Sequence, residues 1–82
     1  MTEEKRKLRI VKLQQIGSLK RKICVLKQNL SRTDYQALIF SDGALTEEEY
    51  APMRAQRQAW RDEINAAEEE IRALQFEMEV QS

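Results

Sequence analysis

Apolar residues recur at alternating steps of three and four along most of this chain, the spacing that lines one face of a helix. In the C-terminal half the positions are Tyr50, Met53, Arg57, Trp60, Ile64, Ala67, Ile71, Leu74, Met78 and Gln81, a heptad seam with Tyr50 at a and Met53 at d. In the N-terminal half Ile16, Leu19, Ile23, Leu26, Leu30 and Ala37 keep the same alternation. Further upstream Lys12 and Arg9 fall on the seam, while Leu8 rejoins the apolar face at helical periodicity. The seam weakens toward both termini, which predicts fraying there.

Turn chemistry separates the two arms. Ser41-Asp42-Gly43 reads as a helix end with glycine at C′. Thr46-Glu47-Glu48-Glu49 reads as a capping box, and its three acids suit the positive end of a helix dipole. The pattern predicts an all-α fold, an antiparallel two-helix hairpin of coiled-coil type. Residues 1–82 form a single domain, with arm 1 at about 4–41, a turn at 42–45 and arm 2 at about 46–80. Each arm would be about 55 Å long as a straight helix.

The turn also predicts a register. Facing residues in an antiparallel hairpin have numbers that add to a constant. Leu8 with Met78, Lys12 with Leu74, Ile16 with Ile71, Leu19 with Ala67, Ile23 with Ile64, Leu26 with Trp60 and Leu30 with Arg57 all give 86 or 87. Gly43 sets this alignment independently of the apolar stripes.

Two irregularities lie on the turn side. Thr33 with Gln36 repeats the capping-box pattern, which predicts a break near Ser31 and a short helix from Asp34 to Phe40. Pro52 lacks a donor and either kinks arm 2 or starts it. The expectation is a small helical head of Leu38, Ile39, Phe40, Leu45, Tyr50 and Met53 on a two-helix stalk. Gly17 lowers helicity in arm 1 by roughly 1 kcal/mol relative to alanine.

Charge is sorted along the chain. Residues 1–32 hold ten Lys/Arg against Glu3 and Glu4, a formal +8, and residues 33–82 hold four Arg against twelve Asp/Glu, a formal −8. The antiparallel register lays the basic stretch 5–27 beside 60–82, with Asp62, Glu63, Glu68, Glu69, Glu70, Glu77 and Glu79. Opposite net charge favours this pairing over parallel pairing of like arms. The alternative is phosphate contact through Lys5, Arg6, Lys7, Arg9, Lys20, Arg21 and Lys22, giving a salt-sensitive, sequence-blind nucleic-acid binder. No aromatic residue is interleaved with these basic groups, and no zinc-finger, RRM or KH signature occurs.

Catalytic chemistry finds few groups to use. The chain has no histidine and one cysteine, Cys24, so the commonest general base is missing and no internal disulfide can form. Cys24 lies among Ile23, Val25 and Leu26, where it reads as a small apolar residue at the flank of the seam rather than an activated nucleophile. Glu68-Glu69-Glu70 reads as a solvated face, and Asp42-Gly43 with Glu47 and Glu48 lacks the alternation of a calcium loop. The reading is a non-enzyme with no cofactor and no metal. The longest apolar run, Ile23 to Leu26, is far too short to span a bilayer, so no membrane association is expected. No apolar stretch follows the charged N-terminus as a secretory leader would require.

Apolar surface is left over once the seam is assigned. Ile10, Leu13 and Cys24 form one flanking stripe, Val11 and Val25 another, and Phe76 and Val80 sit outside the seam of arm 2. The expected partner is a second hairpin, completing a dimeric four-helix bundle, or a groove on another protein of phage or host. Candidate contact residues are Tyr50, Met53 and Trp60 near the head, Ile10, Leu13 and Phe76 on the flanks, and the acidic Glu68, Glu69 and Glu70. Packing of Trp60 against Leu26 in the core is the competing reading.

The segments Thr33-Asp34-Tyr35-Gln36, Gly43 through Pro52, and Arg57-Gln58-Ala59-Trp60-Arg61-Asp62-Glu63-Ile64-Asn65 resemble small helical coiled-coil proteins encoded by bacteriophages and prophages. Arg57 through Ile64 is also similar to the helical tail of some phage tail-fibre assembly proteins. The resemblance implies a phage or mobile-element origin and a non-enzymatic role; with the lone thiol and no visible leader, the expected location is the bacterial cytoplasm or the virion. The functional expectation is therefore a protein–protein interaction component of phage structure, assembly or accessory function. Two alternatives stand beside it. One is a small inhibitor of a bacterial defence or host protein, acting by surface occlusion or by phosphate-like charge at Glu68, Glu69 and Glu70. The other is a nucleic-acid-binding accessory protein using the basic first helix.

Overall fold

A computed structural model describes residues 2–81, the side chain of Gln81 excepted. Two helices account for nearly all of it: α1, Glu3–Ser41, and α2, Glu47–Gln81. No strand occurs among the described residues. The chain folds back once into an elongated hairpin of 61 × 16 × 15 Å. Its radius of gyration, 18.4 Å, far exceeds the value of about 12 Å for a compact domain of this length.

Local chemistry sets both ends of α1 and the start of α2. Thr2 caps α1, its Oγ1 accepting from the Lys5 N–H at 3.3 Å. At the other end the Ala44 N–H donates to Ile39 O and the Gly43 N–H to Phe40 O, each at 3.0 Å. This is the Schellman arrangement, and Gly43 supplies the left-handed residue it needs, with φ +83°. The capping box opening α2 is reciprocal. The Thr46 N–H donates to Glu49 Oε1 and the Glu49 N–H to Thr46 Oγ1, both at 3.1 Å. The turn therefore spans only five residues and its polar groups are paired locally, which forces the two helices side by side.

The buried positions follow the heptads. Ile16 and Leu26 of α1 and Tyr50, Arg57, Ile64, Ala67 and Ile71 of α2 are buried. Leu19, Ile23, Leu30, Trp60, Leu74 and Met78 are partly buried on the same seam. No large side chain is fully enclosed, because two helices can cover only one face of each other.

Three expectations need correction. Leu8, expected on the seam, is 52% exposed. It lies at a g position, beside the seam, while Lys12 keeps its own d position on the seam, its Nζ 3.3 Å from Glu77. No separate head helix forms: α1 runs unbroken through Ser31 to Ser41. The Thr33 hydroxyl lies within reach of the carbonyls of Asn29 (2.9 Å) and Leu30 (3.1 Å) in the preceding turn, so it caps nothing. Leu38, assigned to that head, is 60% exposed. It occupies a b position of the heptad carried through Ala37, which points it away from α2. α2 does not start at Pro52 but continues through it, the proline lying on its exposed side six residues beyond Thr46.

Candidate interaction surface

The turn end is closed by aromatic stacking. Phe40 occupies the d position two heptads beyond Leu26, and Tyr50 the a position nearest the turn on α2. Their rings stack at 4.5 Å between centroids, 11° from parallel. The Arg54 guanidinium carbon lies 5.0 Å from the Phe40 ring centroid and 5.4 Å from that of Tyr50, while Nη2 reaches Glu47 Oε1 at 3.5 Å. Tyr50 is thus buried and unavailable as the contact residue expected from sequence. Met53 and Trp60 are partly buried at d positions, so each offers only an edge to solvent. The register pairs Tyr50 with Ala37, so the stack with Phe40, three residues nearer the turn, was not legible in it.

One turn further along, Arg57 fills an a position that would ordinarily be apolar. It is 6% exposed, yet none of its polar atoms is orphaned. Nη1 donates to the Leu30 carbonyl at 2.8 Å and to the Thr33 hydroxyl, and Nη2 donates to Asp34 Oδ1 at 2.8 Å. Arg57 is a cross-hairpin clamp, and Thr33-Asp34 is its receptor. The pairing of Leu30 with Arg57 was legible in the register; the use of Thr33 and Asp34 was not, because their pattern also fits a cap.

The opposite end remains open. Leu8, Ile10, Val11, Leu13, Phe76 and Val80 are each 48–68% exposed and lie within the last three or four turns before the termini. A shallow groove on one face there is lined by Arg9, Leu13, Ile16 and Lys20 of α1 and Gln75, Met78 and Glu79 of α2. It continues along α1 into a second depression lined by Lys20, Ile23, Cys24, Lys27, Gln28 and Ser31. In heptad terms this is the e side of both helices. Half-buried seam residues form its floor and charged residues its rims. Tyr35 and Leu38 add exposed apolar area near the turn, and Val25 midway.

Charge runs along the rod largely without contact pairing. Lys12–Glu77 and Arg57–Asp34 bridge the helices. Lys20, Lys22 and Lys27 on α1, and Glu63, Glu68, Glu69 and Glu70 on α2, make no ion pair among the described residues. The expected side-by-side placement of basic and acidic stretches therefore occurs, but through the field of whole helices rather than a ladder of bridges. Exposed pairs contribute only about 0–1 kcal/mol, too little to order long side chains.

Cys24 is an exposed free thiol. No group of three or more Cys, Asp or Glu side chains is placed to hold a metal among the described residues. No helix there is long and apolar enough to cross a membrane. The arrangement defines an antiparallel α-helical hairpin with one sealed end and one apolar, open end. Comparison with protein-family models, curated proteins and solved structures finds no match to this chain.

Proposed function

We propose that this chain is a non-catalytic protein–protein interaction component that works by self-association. The observation that supports it most directly is the exposed apolar surface at the open end, from Leu8 to Leu13 and at Phe76 and Val80. These side chains gather at one end of the rod, spread around its circumference, and exposed apolar clusters mark interaction sites. Area points the same way. The hairpin exposes 6248 Å², whereas a compact monomer of 9.7 kDa exposes about 5,100 Å². The surplus of roughly 1,100 Å² is the amount each partner of a stable complex commonly buries, about 800 Å² or more. A dimeric four-helix bundle is the simplest assembly that covers it. The resemblance of its central segments to phage and prophage helical proteins suggests a structural, assembly or accessory role there.

Sedimentation at micromolar concentration tests the core of this reading. A dimer is expected, and Leu13→Glu should shift it to monomer without loss of helix. A wild-type chain that sediments as a monomer would refute it.

A second reading draws on the unpaired carboxylates. Glu69 and Glu70 are exposed, Glu68 is partly so, and none has a cationic partner among the described residues. Such a row could occupy a phosphate-binding site on a host protein. Replacing all three with lysine would abolish that inhibition and leave self-association intact.

A further inference from the structure

Charge is sorted across the rod as well as along it. In the middle of the rod, residues 17–31 of α1 lie beside 58–72 of α2. The e and b positions of that stretch carry four exposed cations, Lys20 and Lys27 on α1 and Arg61 and Arg72 on α2, against one carboxylate, Glu68. Arg21, exposed on the outer edge of α1, adjoins them. None of these five cations makes an ion pair among the described residues. The g and c positions on the opposite side reverse the balance, with Lys22 against Glu63 and Glu70.

Two features make the e side a site for an outside anion. Lys27 and Arg61 hold facing e positions, each next in sequence to a member of the Leu26–Trp60 pair, so two cations share one height with no ion-pair partner. The carboxylates of the opposite side are too far away to neutralise them. They project from the far side of a rod 15–16 Å thick, and exposed charges more than about 8 Å apart are largely screened at physiological salt. A net charge of zero therefore does not describe the field over this side.

The groups present select the class of anion. None of the nine large exposed apolar residues lies on this stretch of the e side, Val25 being on the opposite side, so an amphipathic helix would find little to bury. No aromatic ring lies there either, whereas single-stranded nucleic acid is held largely by stacking. What remains is lysine and arginine beside the neutral hydrogen-bonding side chains of Gln28, Ser31 and Asn65. Such groups contact phosphates and carry no base information. From the height of Arg72 to that of Lys27 is about twelve residues, roughly 18 Å of helix. A duplex presents one phosphate charge per about 1.7 Å of its axis, so several fall within that span. Asp62 and Glu69 on the outer edge of α2 turn such a ligand toward α1.

We infer that the middle of the rod, on its e side, binds the phosphate backbone of duplex nucleic acid without regard to sequence, through Lys20, Arg21, Lys27, Arg61 and Arg72. The inference goes beyond self-association and does not depend on it, because the apolar open end is a different part of the rod. The test is fluorescence anisotropy of a labelled DNA duplex of about 20 base pairs, titrated with the full chain across a series of salt concentrations. A dissociation constant below about 100 μM is expected at about 50 mM salt, with a log–log salt slope of about −4 to −5 for five neutralised phosphates. Lys27→Gln combined with Arg61→Gln should weaken binding at least tenfold and reduce the slope by about 2, with helical circular dichroism unchanged. Lys22→Gln combined with Arg32→Gln removes equal charge from the opposite side and should leave affinity within about twofold of wild type. No binding at the lowest salt overturns the inference. Equal losses in the two double variants overturn the choice of side. Displacement of the duplex by polyglutamate at equal charge identifies an acidic polypeptide as the ligand and overturns the nucleic-acid assignment.

Discussion

The Arg57 guanidinium crosses the hairpin to the main-chain carbonyl of Leu30, at 2.8 Å. A charged side chain at a core position thus reads one particular turn of the facing helix. Thr33 and Asp34, one turn further along α1, complete the set. Only Asp34 is a charged partner, and its side chain is 67% exposed, so the clamp is worth more in register than in energy.

This gives a prediction by substitution. Arg57→Lys cannot serve three acceptors in a fixed fork and should cost about 1–2 kcal/mol in urea unfolding. Arg57→Met fills the same space without the desolvation cost and should change stability by less than about 1 kcal/mol. Its penalty should be looser alignment, seen as a broadened distance distribution between labels at positions 16 and 71. A tolerated lysine with a collapsed methionine variant would mean the forked contacts do not matter.

Glycines 17 and 43 should respond oppositely to alanine. Gly43 stands at φ +83°, where a Cβ is strained, so Gly43→Ala should lose roughly 1–2 kcal/mol. At Gly17 an added Cβ would meet only Arg21 Nη1, at an ordinary 3.5 Å. Gly17→Ala should therefore gain up to about 1 kcal/mol from helix propensity. Thermal melts would separate the two, since 1 kcal/mol moves the midpoint of a domain this size by about 4–8 °C.

The capping box gives a pH prediction. The Thr46 backbone N–H, and after it the Thr46 side chain, hold the Glu49 carboxyl below its ordinary value. A carboxylate bound more tightly in the folded state stabilises the fold above its unfolded pKa, about 4.3. That contribution is present at neutral pH and fades as the pH falls through the lowered value. Glu49→Gln keeps the box without the charge, so it should remove this part of the acid sensitivity. Melting temperatures at pH 7 and pH 3 that show the same drop in both proteins would contradict it.

Core and surface positions should part widely. Ile64→Asp or Leu26→Asp puts a charge at a buried site and should cost about 3 kcal/mol or more, abolishing assembly. Arg72 is exposed and makes no ion pair among the described residues. Arg72→Ala should stay within about 0.5 kcal/mol of wild type. Denaturant midpoints for the three variants check this directly.

The head stack is the last prediction. Phe40→Leu retains apolar volume but removes the ring facing Tyr50 and the cation above it, and should cost about 1 kcal/mol. Loss of near-ultraviolet tyrosine dichroism would report the change. An unaltered spectrum would place the stack outside the folded state in solution.

Heptad spacing, Gly43 and the Thr46–Glu49 box were enough, read along the chain, to determine two helices, their reversal and the seam from Ile16 to Met78. Those features act through local dihedral preference and the 3.5-residue repeat, which need no knowledge of the partner helix. What happens at Thr33 required the partner. Its hydroxyl and Asp34 could equally begin a helix or receive a guanidinium, and only Arg57 arriving from α2 chose between them. Leu8 and Tyr50 tell the same story in opposite directions: the first, at a g position beside the seam, stays half-exposed because α2 does not reach over it, and the second is buried because Phe40 stacks on it. Local order follows from the residue and its neighbours in sequence, whereas burial depends on what lies across the gap.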